Sequence, residues 1–252
     1  MTGFLIDLDG VIYQNNQLIE GADKTVSWLQ KLAIPYLFVT NTTSKPQAAI
    51  LEKLRAMGIP VQKQALLTPP IAAAQYLSPN ARVALFVPDT TAIDFADLTI
   101  VQKGAVDAII LGDLGNSWDF AKLNQAFTFL MENPTSQFIA LGMTRYWRGP
   151  QGLQLDVGPF VSALAYATGR EPVVMGKPAT TFFKQALANL GESDAYMIGD
   201  DAQSDIGGAQ AAGLKAIQVK TGKFTARDLE SSQPDRLLDS FADLPKIWPD
   251  LA

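Results

Sequence analysis

The sequence contains neither cysteine nor histidine. Without cysteine there are no disulfides, no thiolate nucleophiles and no cysteine–zinc sites. Without histidine there is no Ser-His-Asp triad, no phosphohistidine intermediate and no imidazole metal ligand. Acid–base chemistry therefore falls to Asp, Glu, Lys or Tyr. Any metal must be held by oxygen, which favours Mg2+, Ca2+ or Mn2+. Long apolar runs are also missing: none approaches the roughly 18 residues that would span a bilayer. Basic residues are outnumbered, 20 Lys and Arg against 25 Asp and Glu for a net charge of −5, so there is no broad footprint for nucleic acid. The start Met1-Thr2-Gly3-Phe4 lacks the basic and apolar segments of a secretory signal. These absences lead us to expect a cytoplasmic protein with neither a nucleic-acid nor a membrane partner.

What the 252 residues do contain is an alternation of short apolar runs and amphipathic stretches. Phe4-Leu5-Ile6 and Tyr36–Val39 read as strands, and Lys24–Leu32 and Pro46–Met57 as helices, with Gly58 placed to stop the second. Toward the C-terminus, Val173–Met175, Tyr196–Ile198 and Ala216–Val219 read as strands, and Thr180–Leu190 and Ile206–Ala212 as helices. The middle has the same rhythm. Strands are expected at Val83–Val87, Ala108–Leu111 and Phe138–Leu141, and helices at Trp118–Met131 and Pro159–Thr168. Trp118, Phe120 and Leu123, at helical spacing, are expected in a core. Continuous apolar strands alternating with helices imply a parallel sheet covered on both faces. The expected architecture is an α/β protein: a Rossmann-like doubly wound parallel-sheet core from residues 1–79 and 173–252, with an inserted α/β domain over 80–172. Thr68-Pro69-Pro70 and Gly169-Arg170-Glu171-Pro172 are the expected hinges.

In open α/β sheets, ligands bind beyond the carboxyl ends of the strands. Asp7 and Asp9 follow the first strand, and Thr40 and Asn41 follow the second. Gly176 and Lys177 follow Val173–Met175, and Gly199, Asp200 and Asp201 follow Tyr196–Ile198, with Asp205 close behind. The last strand, Ala216–Val219, contributes no site residue to this reading. If these strands are neighbours, carboxylates, a hydroxyl, an amide and an ammonium converge, a set suited to phosphoryl transfer. Clustered carboxylates repel one another unless a cation neutralises them, and Mg2+ would also orient a phosphate. One carboxylate can then attack phosphorus. A lysine and a hydroxyl–amide pair can stabilise the equatorial oxygens. The Asp-x-Asp-Gly spacing suits Asp7 as nucleophile and Asp9 as the acid that protonates the leaving oxygen, then the base that deprotonates water.

Each cluster taken singly has a structural reading. Asp7-Leu8-Asp9-Gly10 can simply cap a turn, and Thr40-Asn41-Thr42-Thr43 can cap the helix after Pro46. Lys177 can be solvated, and Asp200, Asp201 and Asp205 can be capping and surface charge. A calcium loop is excluded because Val11 occupies the third ligand position and no terminal Glu follows. Taken together, the structural readings require every polar cluster to fall at a strand end by accident.

The motifs Asp7-Leu8-Asp9-Gly10-Val11, Thr40-Asn41-Thr42-Thr43, Gly176-Lys177-Pro178 and Gly199-Asp200-Asp201 with Asp205, in that order, resemble those of the haloacid dehalogenase superfamily of phosphohydrolases. The long insertion between Thr40 and Lys177 is similar to the α/β (C2-type) cap of its nitrophenylphosphatase-like branch. Asp119–Phe127, Arg145-Tyr146-Trp147 and Leu155–Thr168 further resemble the phospholysine/phosphohistidine/pyrophosphate-phosphatase-like members. The resemblance spans almost the whole chain. It implies that Asp7 is nucleophile and metal ligand, that Asp9 is the acid/base and lends its backbone carbonyl to the metal, and that Thr40, Asn41 and Lys177 hold phosphate. It further implies that Asp200 ligates the metal, with Asp201 and Asp205 as additional ligands or anchors behind it. The implied cofactor is Mg2+, the partner a small phosphorylated substrate, and the activity a Mg2+-dependent phosphatase with an aspartyl-phosphate on Asp7. Nitrophenyl phosphate would be an artificial substrate. One departure stands out. Many cap-bearing relatives carry Asn-Pro-Asp after the strand equivalent to Phe138–Leu141, where this chain has Gly142-Met143-Thr144, so no substrate is transferred from them.

In the cap, Arg145 beside Tyr146 and Trp147 can recognise an anionic or planar substrate or can pack at the surface, and Asp113 is the other specificity candidate. A homodimer through the cap is a further expectation. A phosphotransferase or mutase would use the same intermediate with a hydroxyl acceptor in place of water. A phospho-Asp signalling module would join similar groups, but there the acidic pair precedes the Thr and Lys. A dehalogenase would need neither Asp9 nor the acids near Asp200.

Overall fold

The computed structural model describes residues 2–149, 152–192 and 194–251. The chain divides into two compact units, one of residues 1–40, 48–67 and 177–252, the other of residues 41–47 and 68–176.

The first unit is built on a six-stranded, all-parallel sheet. Its spatial order is Arg236–Leu238, Lys215–Val219, Ala195–Gly199, Gly3–Asp7, Tyr36–Val39, Leu66–Leu67. Every residue of Gly3–Asp7 and Ala195–Gly199 is buried, the pattern of strands covered on both faces. Side chains alternate between those faces. Phe4, Ile6, Phe38, Tyr196, Ile198, Ile217 and Val219 join one apolar cluster with Val26 and Leu29 of the helix Ala22–Lys31 and Ile50, Leu51 and Leu54 of the helix Gln47–Ala56. The helix Thr180–Leu190 buries Phe182, Phe183 and Ala186 and packs on Gly3–Asp7 and Tyr36–Val39. From Gly3–Asp7 the chain winds outward through Tyr36–Val39 and Leu66–Leu67. It later winds the other way through Ala195–Gly199, Lys215–Val219 and Arg236–Leu238. The order therefore reverses between Gly3–Asp7 and Ala195–Gly199, and such a switch point opens a crevice at the carboxyl ends of the two strands.

The second unit has its own parallel sheet, in the order Val173–Val174, Gln137–Ala140, Ala108–Leu111, Arg82–Phe86, Thr99–Ile100. The helices Phe120–Glu132 and Val157–Thr168 pack on each other and share an apolar cluster with Phe86, Ile109, Leu111 and Phe138.

Several boundaries differ from the sequence expectation. Val173 and Val174 pair with Ile139 and Ala140, so this strand belongs to the second sheet, not to the core. Residues 68–79 and 173–176 likewise fall in the second unit, outside the expected 80–172. The expected hinge at Thr68 is a helix start, where the Thr68 hydroxyl accepts from the Ile71 N–H and Pro69 and Pro70 open the helix Pro69–Tyr76. The expected hinge at Arg170 is tied down: its guanidinium donates to the carbonyls of Leu130, Asn133 and Ser136. The helix expected from Trp118 begins at Phe120, because Asp119 caps it by accepting from the Lys122 N–H at 2.7 Å. Trp118 is a core residue stacked against Phe86 and Phe160, but Phe120 is 83% exposed, since Ala126, Phe129 and Leu130 set the buried face of the helix and at about 100° per residue Phe120 lies off it.

Candidate active site

Asp7 is the last residue of its strand, at the switch point, and it is buried. The neighbouring strand is in register with it, Ile6 beside Ile198, so Asp200 stands one residue beyond the same edge. Asp205 follows on a π-helical turn, Ala202–Gly207, that continues into the helix Gly208–Ala211. Such turns are rare and recur at functional sites. One carboxylate oxygen each of Asp7, Asp200 and Asp205 lies within 4.8 Å of the others.

A single ammonium is inserted among them. Lys177 Nζ donates to Asp7 Oδ1 and to Asp205 Oδ1, both at 2.6 Å, and all three side chains are almost fully buried. Lys177 does not extend a core strand, as the sequence reading had it. It arrives on the segment that returns from the second unit. Asp205 accepts from Lys177 on one oxygen and from the Asp201 N–H on the other, so it holds the lysine in place. Asp201 caps the π-helical turn by accepting from the N–H groups of Gln203 and Ser204, and its second oxygen pairs with Lys223 Nζ at 3.1 Å. Asp9 stands outside the carboxylate cluster with its side chain exposed. The turn behind it is fixed by the Gly10 N–H donating to the Tyr13 carbonyl at 2.7 Å. Thr40 is buried at the end of Tyr36–Val39, its N–H on the Leu67 carbonyl.

The remaining expected residues lie in the second unit. Asn41 is half-buried there. Asp113 is engaged in its own turn, accepting from the Gly115 N–H at 2.8 Å. Arg145 is exposed at the start of an antiparallel hairpin, Tyr146–Gly149 with Gly152–Leu155, where a loop was expected.

One part of the site was missed. After Lys215–Val219 the chain runs Lys220-Thr221-Gly222-Lys223. The Lys223 N–H donates to Asp200 Oδ2 at 2.7 Å, and the Thr221 hydroxyl donates to the Gly10 carbonyl. Gly10 and Gly222 both have positive φ, and a Cβ on either would overlap the Asp200 carboxylate. A glycine between polar residues at a strand end was the available signal.

The electrostatics follow from three buried carboxylates against one ammonium. Burial pushes Asp200 and Asp205 up to about 6, with repulsion between neighbouring carboxylates adding to it and Lys177 opposing it. Burial raises Asp7 as well, Lys177 pulling against it. Lys177 is held protonated by Asp205 and Asp7 despite its burial. A hard divalent cation fits this all-oxygen donor set and would neutralise the excess negative charge. A pH dependence follows. A carboxyl whose folded pKa lies above its unfolded one binds more protons folded than unfolded between the two values. The metal-free fold should therefore lose stability as pH rises from 3.8 toward about 6. Added Mg2+ should raise the melting temperature clearly at pH 7.5 and little at pH 5, as read by thermal unfolding. An equal shift at both pH values would contradict a cation held by these groups.

Comparison with known proteins agrees with this geometry. The family described as "Haloacid dehalogenase-like hydrolase" matches residues 4–100, and "HAD-hyrolase-like" matches residues 174–244. The chain is 35% identical over 248 residues to the phospholysine phosphohistidine inorganic pyrophosphate phosphatase of Homo sapiens, covering 96% of this chain and 90% of that one. It is 36% identical over 233 residues to haloacid dehalogenase-like hydrolase domain-containing protein 2 of Homo sapiens, covering 91% and 88%. Among solved structures, a p-nitrophenyl phosphatase from Archaeoglobus fulgidus superposes with a TM-score of 0.88 at 27% identity, covering 97% of this chain and 98% of that one. The chain belongs to the haloacid dehalogenase-like hydrolases, in their nitrophenylphosphatase-like branch.

Proposed function

We propose that the protein is a Mg2+-dependent phosphatase that hydrolyses a small phosphorylated metabolite through an aspartyl-phosphate on Asp7. The observation that carries this reading is the placement of Asp7 at the switch point, in contact with Lys177 and clustered with Asp200 and Asp205. Asp7 and Asp200 would hold the cation, with the Asp9 backbone carbonyl as a third donor. When bound, the cation supplies charge neutralisation at the phosphate oxygens. Lys177 and Thr40 would bind the equatorial oxygens, with Asn41 beside Thr40 in sequence. The Asp7 carboxylate forms a bond to phosphorus as the bond to the leaving oxygen breaks. Asp9 gives that oxygen a proton. Asp9, now ionised, then takes a proton from water, which attacks the phosphoryl group and frees Asp7 with release of inorganic phosphate. Asp205 anchors Lys177, and Asp201 anchors the turn that carries Asp205. The second unit, residues 41–47 and 68–176, would act as the cap, and Arg145 and Asp113 are its candidates for selecting the leaving group.

The intermediate is directly testable. Enzyme quenched in acid during turnover of nitrophenyl phosphate should carry one phosphoryl group on the peptide containing Asp7, detected by mass spectrometry. Phosphate release with no such adduct at any quench time would sink the mechanism. A panel of phosphorylated sugars, nucleotides, amino acids and pyrophosphate would then identify the substrate class, the last two because the human relative's name covers such phosphates.

Asp9 makes a distinct prediction. Asp9→Asn should slow hydrolysis of alkyl phosphates by ~10^2–10^4-fold, the usual worth of a general acid. The loss should be smaller with nitrophenyl phosphate, whose leaving group departs without a proton. Rates fitted across a leaving-group series would check it, and equal losses throughout would argue against Asp9 as the acid.

A further inference from the structure

Asp200 is held at three points, by residues on the last long core strand and its loop together with Gly10. Gln218 is the polar exception in the otherwise apolar run Ala216–Val219, and it is fully buried. It pairs across the sheet with Gly199, and its Nε2 donates to the Asp200 carbonyl at 3.3 Å. Its Oε1 has no partner among the described residues. A leucine or methionine there would remove the unpaired Oε1, and with it the donor to the Asp200 carbonyl. The second grip is the Lys223 N–H on Asp200 Oδ2 at 2.7 Å. The third is steric. The backbones of Gly10 and Gly222 both lie close against Asp200 Oδ2, and the Thr221 hydroxyl fastens the Gly222 loop to the Gly10 carbonyl.

We infer that Gln218, Gly222 and the Lys223 N–H form a clamp that positions Asp200 for metal binding. This inference rests on the metal-dependent reading above. One oxygen of Asp200 is engaged by a backbone N–H that no side-chain substitution can supply elsewhere, so the carboxylate is presented in one orientation. Outer groups that orient a ligand in this way are typically worth ~10–100-fold in metal affinity. Gln218 is therefore a positioning residue, acting through Asp200 and touching no substrate.

The test uses the purified full chain and Mn2+ as a spectroscopic probe, with free Mn2+ measured by electron paramagnetic resonance and Mg2+ as competitor. Gln218→Leu should bind Mn2+ about tenfold or more weakly. In chelator it should melt close to the wild-type temperature, because losing the unpaired Oε1 offsets losing the donor to the Asp200 carbonyl. Gly222→Ala should weaken binding at least as much, since its Cβ displaces the Asp200 carboxylate. Lys220→Met, which removes an exposed pair between that loop and Asp239 beyond the neighbouring strand, should bind as wild type. If wild type binds Mn2+ and Gln218→Leu binds it equally well, the clamp is wrong while the metal site stands. If wild type itself binds neither ion, the metal reading fails first. Should Gly222→Ala not fold, Gln218→Leu alone decides.

Discussion

Asp7→Asn should abolish turnover of every substrate while leaving the fold and its helix content intact. The expected loss is ~10^4-fold or more, in the range seen when a covalent nucleophile is deleted. Two properties of the site make the effect this large. The chain has no cysteine and no histidine, so the classes of side chain able to replace a buried carboxylate as nucleophile are few. Asp205, the other carboxylate in contact with Lys177, has both oxygens engaged. Asn is nearly isosteric with Asp, and its amide removes a buried negative charge that burial already disfavours. The variant should therefore melt no lower than wild type in the absence of divalent cation. Steady-state assay and circular dichroism on one preparation would check both halves. Near-normal hydrolysis by Asp7→Asn with Mg2+ supplied would refute covalent catalysis at this position.

Much of this arrangement was readable in the sequence because it depends on side-chain types at strand ends. Phe4-Leu5-Ile6 followed by Asp7, and Tyr196-Met197-Ile198 followed by Gly199 and Asp200, place the carboxylates at strand ends, and the pairing of the two strands makes them neighbours. What escaped has identifiable causes. Val173-Val174 is too short to declare its sheet: two apolar residues satisfy either core equally, and only pairing with Ile139 and Ala140 assigns them. Leu66–Leu67 and Arg236–Leu238 are edge strands too brief for periodicity to register. Phe120 was placed in a core because the helical pattern was started two residues early, before the Asp119 cap. The division of labour among Asp200, Asp201 and Asp205 is set by the π-helical turn, a backbone geometry that side-chain spacing does not announce. The hold on Asp200 from the Lys223 N–H was invisible for the same reason: every residue but proline carries that donor.

The burial of Lys177 gives the other large expected effect, one that couples catalysis to stability. Lys177→Met should cost ~10^2–10^3-fold or more in kcat, the worth of one charged group aimed at developing negative charge. It should also destabilise the fold, because it strips Asp7 and Asp205 of the ammonium that contacts both at 2.6 Å. Removing one partner of a buried pair typically costs about 3–5 kcal/mol, since the remaining charge stays desolvated. Here two carboxylates would be left, and their remedy is protonation. Burial already lifts Asp205 to about 6, and losing the lysine lifts it further. The deficit relative to wild type should thus be small at pH 5, where protons can neutralise both carboxylates, and should grow as pH rises. Divalent cation should recover part of the stability and little of the activity, because it neutralises charge without restoring the donor that Lys177 supplies to phosphate. Lys177→Arg should not rescue either property, as the guanidinium is larger and planar and the space between the two carboxylates fits an ammonium. Thermal melts at pH 5 and pH 8, with and without Mg2+, would read these differences. A pH-independent deficit would mean that Lys177 acts by filling space, and it would remove the lysine from the electrostatic account of the site.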